Sequence, residues 1–213
     1  LELFFNNISP KAFAFRGGED SIWGQEVIMR QQAVYQIVAS SGSGKSTLVS
    51  ILSGLRNDYS GALKIGATDT SSYGSKAWSL WRSKHASFVF QDLRLFPELT
   101  AMENIILTSE LNANKISVSS ITKMAEQLGI TAKLPIVLKK LSYGQMQRVA
   151  IVRALSRDYN WLILDEPFSH LDVANAEVAW SMILEDARSK NAGIIITSLD
   201  PYPFIHPDKV FKL

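Results

Sequence analysis

The stretch Val38-Ala-Ser-Ser-Gly-Ser-Gly-Lys-Ser-Thr-Leu48 decides the fold, because it leads from an apolar run (Val34, Ile37, Val38) into a helical pattern through a loop that only small residues can form. Such a loop is a phosphate cradle. Gly42 and Gly44 let successive backbone N–H groups turn inward, the following helix presents its positive end, and Lys45 adds a full charge. Ser41, Gly42, Ser43, Gly44, Lys45, Ser46 and Thr47 are therefore the candidate phosphate-binding residues, with the Ser46 hydroxyl placed to hold Mg²⁺. The general pattern is G-x-x-x-x-G-K-S/T, and here its first glycine is Ala39, at the end of the strand, where a methyl group fits. Beyond the loop, Leu48, Ile51, Leu52 and Leu55 recur at helical spacing and predict a helix packing this stripe on a sheet.

At 213 residues and 46% hydrophobic content, the chain is long enough for one substantial domain spanning residues 1–213. Zero cysteines exclude disulfides and cysteine metal sites, which fits a reducing compartment. A net charge of +2, with scattered Lys and Arg, gives no electrostatic footprint for nucleic acid. Trp161–Leu164 and Gly193–Ile196 are among the most apolar runs, and both fall far short of the ~20 residues a membrane-spanning helix needs. Any membrane role must go through a partner.

Alternation of Leu1, Leu3 and Phe5 with Glu2 and Phe4 predicts an opening strand, followed by further short strands joined at Arg16-Gly17-Gly18. Asp58-Tyr-Ser-Gly61 reads as a turn, Ala62–Ile65 as a short strand and Ser87–Phe90 as a buried one. From about residue 95 to 140 the periods become helical, as with Ile121, Met124, Ala125 and Leu128 closed by Gly129, and predict a small helical subdomain. After it come a helix over Ser142–Arg157, a strand at Trp161–Leu164, a helix over Ala174–Lys190, and strands at Ile194–Thr197 and Lys209–Leu213. This alternation predicts a mostly parallel sheet covered on both faces.

Two features carry chemistry. Trp161-Leu-Ile-Leu-Asp165-Glu166-Pro167 is an apolar strand that delivers adjacent carboxylates to the sheet edge where the phosphate loop also lies, so Asp165 can bind Mg²⁺ through water and Glu166 can polarise an attacking water. Leu141-Ser142-Tyr143-Gly144-Gln145 has the spacing of a capping box at a helix start, and such a start is also an anion site.

The phosphate loop, Phe90-Gln91, Leu141-Ser-Tyr-Gly-Gln145, Leu164-Asp-Glu-Pro167 and Ser169-His-Leu-Asp172 occur in an order that resembles the ATP-binding cassette (ABC) ATPases over nearly the whole chain. The resemblance implies an α/β P-loop NTPase with a mostly parallel central sheet, an N-terminal antiparallel β subdomain and an inserted helical subdomain. It implies ATP and Mg²⁺ as cofactors, and a head-to-tail dimer with a second ATPase subunit, identical or related. In such a dimer each ATP lies between one subunit's phosphate loop and the other's signature, here Ser142, Gly144 and Gln145. Further implied partners are transmembrane permease subunits, which would place the protein peripherally on the cytoplasmic face of the membrane.

By position, Gln91 looks like the family's glutamine that contacts Mg²⁺ or the attacking water, and Asp172 like the residue that crosses the dimer interface. Phe15 is the candidate ring for stacking on adenine, with Phe13 as runner-up. The segment Phe90–Asn104 is similar to that of the lipoprotein-releasing and macrolide-efflux branch. Two departures stand out. Tyr143 replaces the signature's first glycine, and Ser198 stands where the family places a histidine that touches the γ-phosphate. Serine is too short to reach equally far without a bridging water, so the resemblance implies slowed hydrolysis. Alongside an energy-coupling transport ATPase, two readings therefore stay open: a nucleotide-dependent dimerising clamp with slow or absent hydrolysis, and a soluble cassette acting on DNA or ribosomes. The last is weakest, because the interval from Lys45 to Leu141 leaves no room for a long coiled coil.

Overall fold

Trp161-Leu-Ile-Leu-Asp165 and Gly193-Ile-Ile-Ile-Thr-Ser198 are buried at every position, the mark of central strands covered on both faces. The computed structural model describes residues 1–11, 20–109 and 116–213. Its strands, in chain order, are β1 (Leu3–Pro10), β2 (Glu26–Met29), β3 (Val34–Val38), β4 (Tyr59–Ile65), β5 (Thr68–Asp69), β6 (Ala86–Val89), β7 (Trp161–Asp165), β8 (Gly193–Ser198) and β9 (Lys209–Lys212). The α-helices are α1 (Lys45–Leu52), α2 (Ser75–Leu80), α3 (Ala101–Ser109), α4 (Val118–Gln127), α5 (Tyr143–Leu155) and α6 (Val173–Ser189).

Five strands in the order β6-β7-β8-β3-β9 pair in parallel throughout, and a second sheet, β2-β1-β4-β5, is antiparallel. Successive side chains on a strand point to opposite faces, so the central sheet feeds two cores. Trp161, Ile163 and Ile195 pack with Leu48, Ile51 and Leu52 of α1 and with Leu3, Phe5 and Leu63 of the antiparallel sheet. Leu162, Leu164, Ile194 and Ile196 pack with Val149 and Val152 of α5 and Ile183 of α6. Gly193 is required here, since a Cβ would lie 2.5 Å from the Trp161 ring. Helices α3 and α4 occupy the stretch read as a helical subdomain and pack Ile105, Ile121 and Ala125 into the same core as α5. Ser117 caps α4 by accepting from the Ser120 N–H, and Gly129, at φ +64°, follows its end.

Two local expectations are corrected. Asp58–Gly61 does not form a separate turn; β4 already begins at Tyr59 and runs through Gly61. The β1–β4 register shifts between Asn6 and Ser9, and Gly61, at φ +80°, passes so close that a Cβ would meet the Asn7 carbonyl at 2.3 Å. Nor does Leu55 belong to the buried stripe of α1: the helix ends at Leu52, Gly54 turns left-handed at φ +69°, and Leu55 is half exposed. Phe13, Phe15 and Arg16-Gly17-Gly18 lie outside the described residues.

Candidate nucleotide site

Parallel pairing puts four sequence-distant segments at one edge, the carboxyl ends of the central strands. The phosphate loop follows β3, Gln91 lies just beyond β6, Asp165 closes β7 with Glu166 next, and Ser198 closes β8. A hollow of about 280 Å³ is lined by Ser41, Gly42, Gly44, Lys45, Ser46, Thr47, Gln91 and Glu166. A second hollow, lined by residues that include Ser46, Gln91 and Asp165, adjoins it.

Gly44 holds the first position before α1 at φ +106°, and no side chain caps the helix, which leaves its first-turn N–H groups directed at an incoming anion. Lys45 is buried, and its Nζ donates to the carbonyls of Ala39 (2.7 Å) and Ser40 (2.9 Å) while standing 3.2 Å from Glu166 Oε1. Three acceptors thus match its three N–H donors. Glu166 takes φ +48°, a conformation unusual for a residue with a side chain, and its backbone N–H is held by both the carbonyl and the hydroxyl of Thr197, each at 3.2 Å.

The residues fit Mg²⁺ by donor type. Ser46 Oγ donates to Gln91 Oε1 at 3.2 Å, and Asp165 also feels the Ser46 hydroxyl. One carboxylate with neutral oxygens suits an ion that keeps waters and binds phosphate. No cluster of three or more His, Cys, Asp or Glu able to hold a metal occurs among the described residues, so a dedicated protein cage is not the design there.

Thr197 was not singled out from sequence, yet its hydroxyl donates to Asp165 Oδ1 over 2.6 Å. Burial pushes the Asp165 carboxyl above its usual range and the neighbouring Glu166 adds to that, while the hydroxyls of Thr197 and Ser46 and the charge of Lys45 pull it back. Thr197→Val should therefore raise it further and cost about 1–3 kcal/mol at neutral pH, the price of stranding a buried acceptor. A carboxyl with a raised folded-state pKa destabilises most where it is ionised. The penalty accordingly shrinks as pH falls through that raised value, where the proton returns. Chemical denaturation without divalent ions, at neutral and acid pH, checks both size and sign; a pH-independent loss would count against the charge argument.

The signature forms the capping box its spacing predicts: Ser142 Oγ accepts from the Gln145 N–H at 3.3 Å and Gln145 Oε1 from the Ser142 N–H at 3.0 Å. A Cβ on Gly144 would stand 2.7 Å from the His170 carbonyl, so this glycine permits a close approach of two loops. Ser142, Gly144 and Gln145 do not line the phosphate hollow of their own chain. Asp172 caps α6 through the Asn175 N–H at 2.9 Å. Gln147, also unnoticed in the sequence, donates to the Glu166 carbonyl at 3.1 Å and accepts from the His170 N–H at 3.2 Å, tying α5 to the loop that follows β7.

Ser198 is not brought into the hollow either. It is buried at 1% exposure, and its hydroxyl accepts from Gln36 Nε2 at 3.1 Å. His85 pairs with Asn160 and stacks on Trp81, while His170 lies against Tyr143.

A fold with a phosphate loop and strand-end carboxylates at one sheet edge is that of a P-loop nucleoside triphosphatase. The model of the ABC transporter family matches residues 25–169. A lipoprotein-releasing system ATP-binding protein from Legionella pneumophila (strain Paris) is 35% identical over 83% of this chain and 79% of its own length. An uncharacterized ABC transporter ATP-binding protein from Escherichia coli is 32% identical over 89% of this chain and 84% of its own. Among solved structures, a dimeric ATP-binding cassette in a post-hydrolysis state bound to ADP and Pi superposes with a TM-score of 0.77 at 25% identity, covering 93% of this chain and 88% of that one. The chain belongs to the ABC transporter family and is an ATP-binding cassette ATPase. No helix among the described residues is long and apolar enough to cross a membrane.

Proposed function

We propose that this chain is the energy-coupling subunit of a membrane transport or extrusion complex, binding and hydrolysing Mg·ATP on the cytoplasmic face of the membrane beside permease subunits. The observation that carries the reading is the meeting of Lys45 and Glu166, 3.2 Å apart in the phosphate hollow, which joins the phosphate-binding cation to the strand-end carboxylate. The Ser41–Thr47 loop holds the phosphates, with Lys45 moving from its loop carbonyls to the anion. Ser46, Gln91 and Asp165 would hold Mg²⁺, which would supply charge neutralisation at the phosphates. Glu166 accepts hydrogen bonds from the attacking water and orients it toward the γ-phosphate. Ser142, Gly144 and Gln145 of a second subunit close the site through the helix N-terminus of α5. The lipoprotein-releasing relatives favour extrusion of a lipid-bearing substrate. Co-purification with membrane subunits, followed by phosphate-release assay of the complex, tests this reading; a complex that binds no ATP would overturn it.

Ser198 is buried at the end of β8, its oxygen accepting from Gln36, and it does not line the phosphate hollow, so its hydroxyl does not reach a γ-phosphate held there. Turnover should be slow by the ~10²–10³ that one missing positioned contact costs. Ser198→Ala should then leave the turnover of the complex essentially unchanged. A drop approaching that factor would put the hydroxyl back at the reacting phosphate.

A further inference from the structure

Tyr143 stands where cassette signatures resembling this one have glycine, and it has two partners outside its own helix. Its hydroxyl donates to the Gln91 backbone carbonyl over 2.6 Å. Its ring lies against that of His170, with centroids 4.2 Å apart. The same helix grips the same segment from its other end: buried Arg153 donates to the Leu93 and Arg94 carbonyls, each at 2.6 Å. Leu93 and Arg94 take φ of +58° and +45°, which side-chain-bearing residues adopt only when surroundings impose it. Helix α5 thus holds the bend that follows Gln91, through Tyr143 at its start and Arg153 near its end.

We infer that Tyr143 is a positioning residue for the nucleotide site of its own subunit: by holding the Gln91 carbonyl, it keeps the Gln91 side chain on Ser46. The inference rests on the ATPase reading of that site. Glycine could not make this link. A continuous path runs from the signature turn to Tyr143, to Gln91 and to Ser46, so movement of the turn is transmitted to the Mg²⁺ side of the phosphate loop within one chain. Arg94, stacked 3.8 Å from the Phe90 ring centroid, braces the far side of the same segment. Burial raises the Tyr143 phenol above its usual range and the charge of Asp92 adds to this, so the group stays a donor at neutral pH.

The test uses the whole chain. Hydrogen exchange of the nucleotide-free protein should show residues Gln91–Arg94 opening about fivefold more readily in Tyr143→Phe than in wild type, the factor carried by one ordinary hydrogen bond. Amides elsewhere that exchange by local opening should be unchanged, and global unfolding, which breaks the same bond, should lose no more than the same fivefold factor. In the partner-bound complex, half-saturation by Mg²⁺ should rise by a similar factor while kcat at saturating Mg²⁺ is retained. Tyr143→Gly, which also loses the ring contact with His170, should show the same local opening; if it fails to fold, Tyr143→Phe alone carries the test. Unchanged exchange at Gln91–Arg94 in Tyr143→Phe, or an equal rise at amides that open locally in other parts of the chain, overturns the inference. Neither result touches the ATPase reading, which stands or falls on ATP binding by Lys45→Ala.

Discussion

Glu166→Gln should bind ATP and fail to hydrolyse it, with turnover reduced by about 10²–10⁴, the contribution expected of a positioned general base. The amide is isosteric with the carboxylate and its oxygen can still accept from Lys45 Nζ, now 3.2 Å from Glu166 Oε1. Geometry therefore survives while basicity is lost. The Glu166 backbone is fixed independently of its side chain, through Thr197 and through Gln147 Nε2 on its carbonyl, so the substitution should not disturb the loop. With ATP uncleaved, two subunits stay closed around two nucleotides, and size-exclusion with light scattering should report a dimer in Mg·ATP and a monomer without it. An exclusively monomeric Glu166→Gln protein at high concentration, or one that turns over at the wild-type rate, would contradict both the base assignment and the composite site.

The parts of this site that were legible in the sequence are those whose chemistry is local. Gly42, Gly44, Lys45 and Ser46 declare a phosphate loop within a few residues, and the unbroken apolar runs of β7 and β8 declare buried parallel strands. Thr197 was not legible, because its work depends on the β7–β8 register that sets Thr197 opposite Asp165 across the sheet. The same holds for Ser198, whose place is visible in the sequence but whose hydroxyl is claimed by Gln36 from a neighbouring strand. Tyr143 showed as a departure from a pattern; that its hydroxyl reaches Gln91 follows only from the packing of α5 beside β6. Asp58–Gly61 misled for the opposite reason. Its turn chemistry is real, but the irregularity at Asn7 in β1 uses Gly61 within a strand.

Lys45→Ala should lose ATP affinity by roughly 100-fold or more, since two charge-assisted hydrogen bonds at about 1.5–3 kcal/mol each vanish with the ammonium. The substitution also leaves Glu166, itself buried, without its cation. Opening of the hollow to water limits that cost, so the fold should persist with lowered stability. A circular dichroism spectrum unchanged from wild type is the necessary control. Calorimetric titration of ATP into folded Lys45→Ala, beside the wild type, decides whether Lys45 anchors ATP in the loop beginning at Ser41: a clear binding isotherm is expected for the wild type and almost none for the variant. Equal affinity in both would contradict that role.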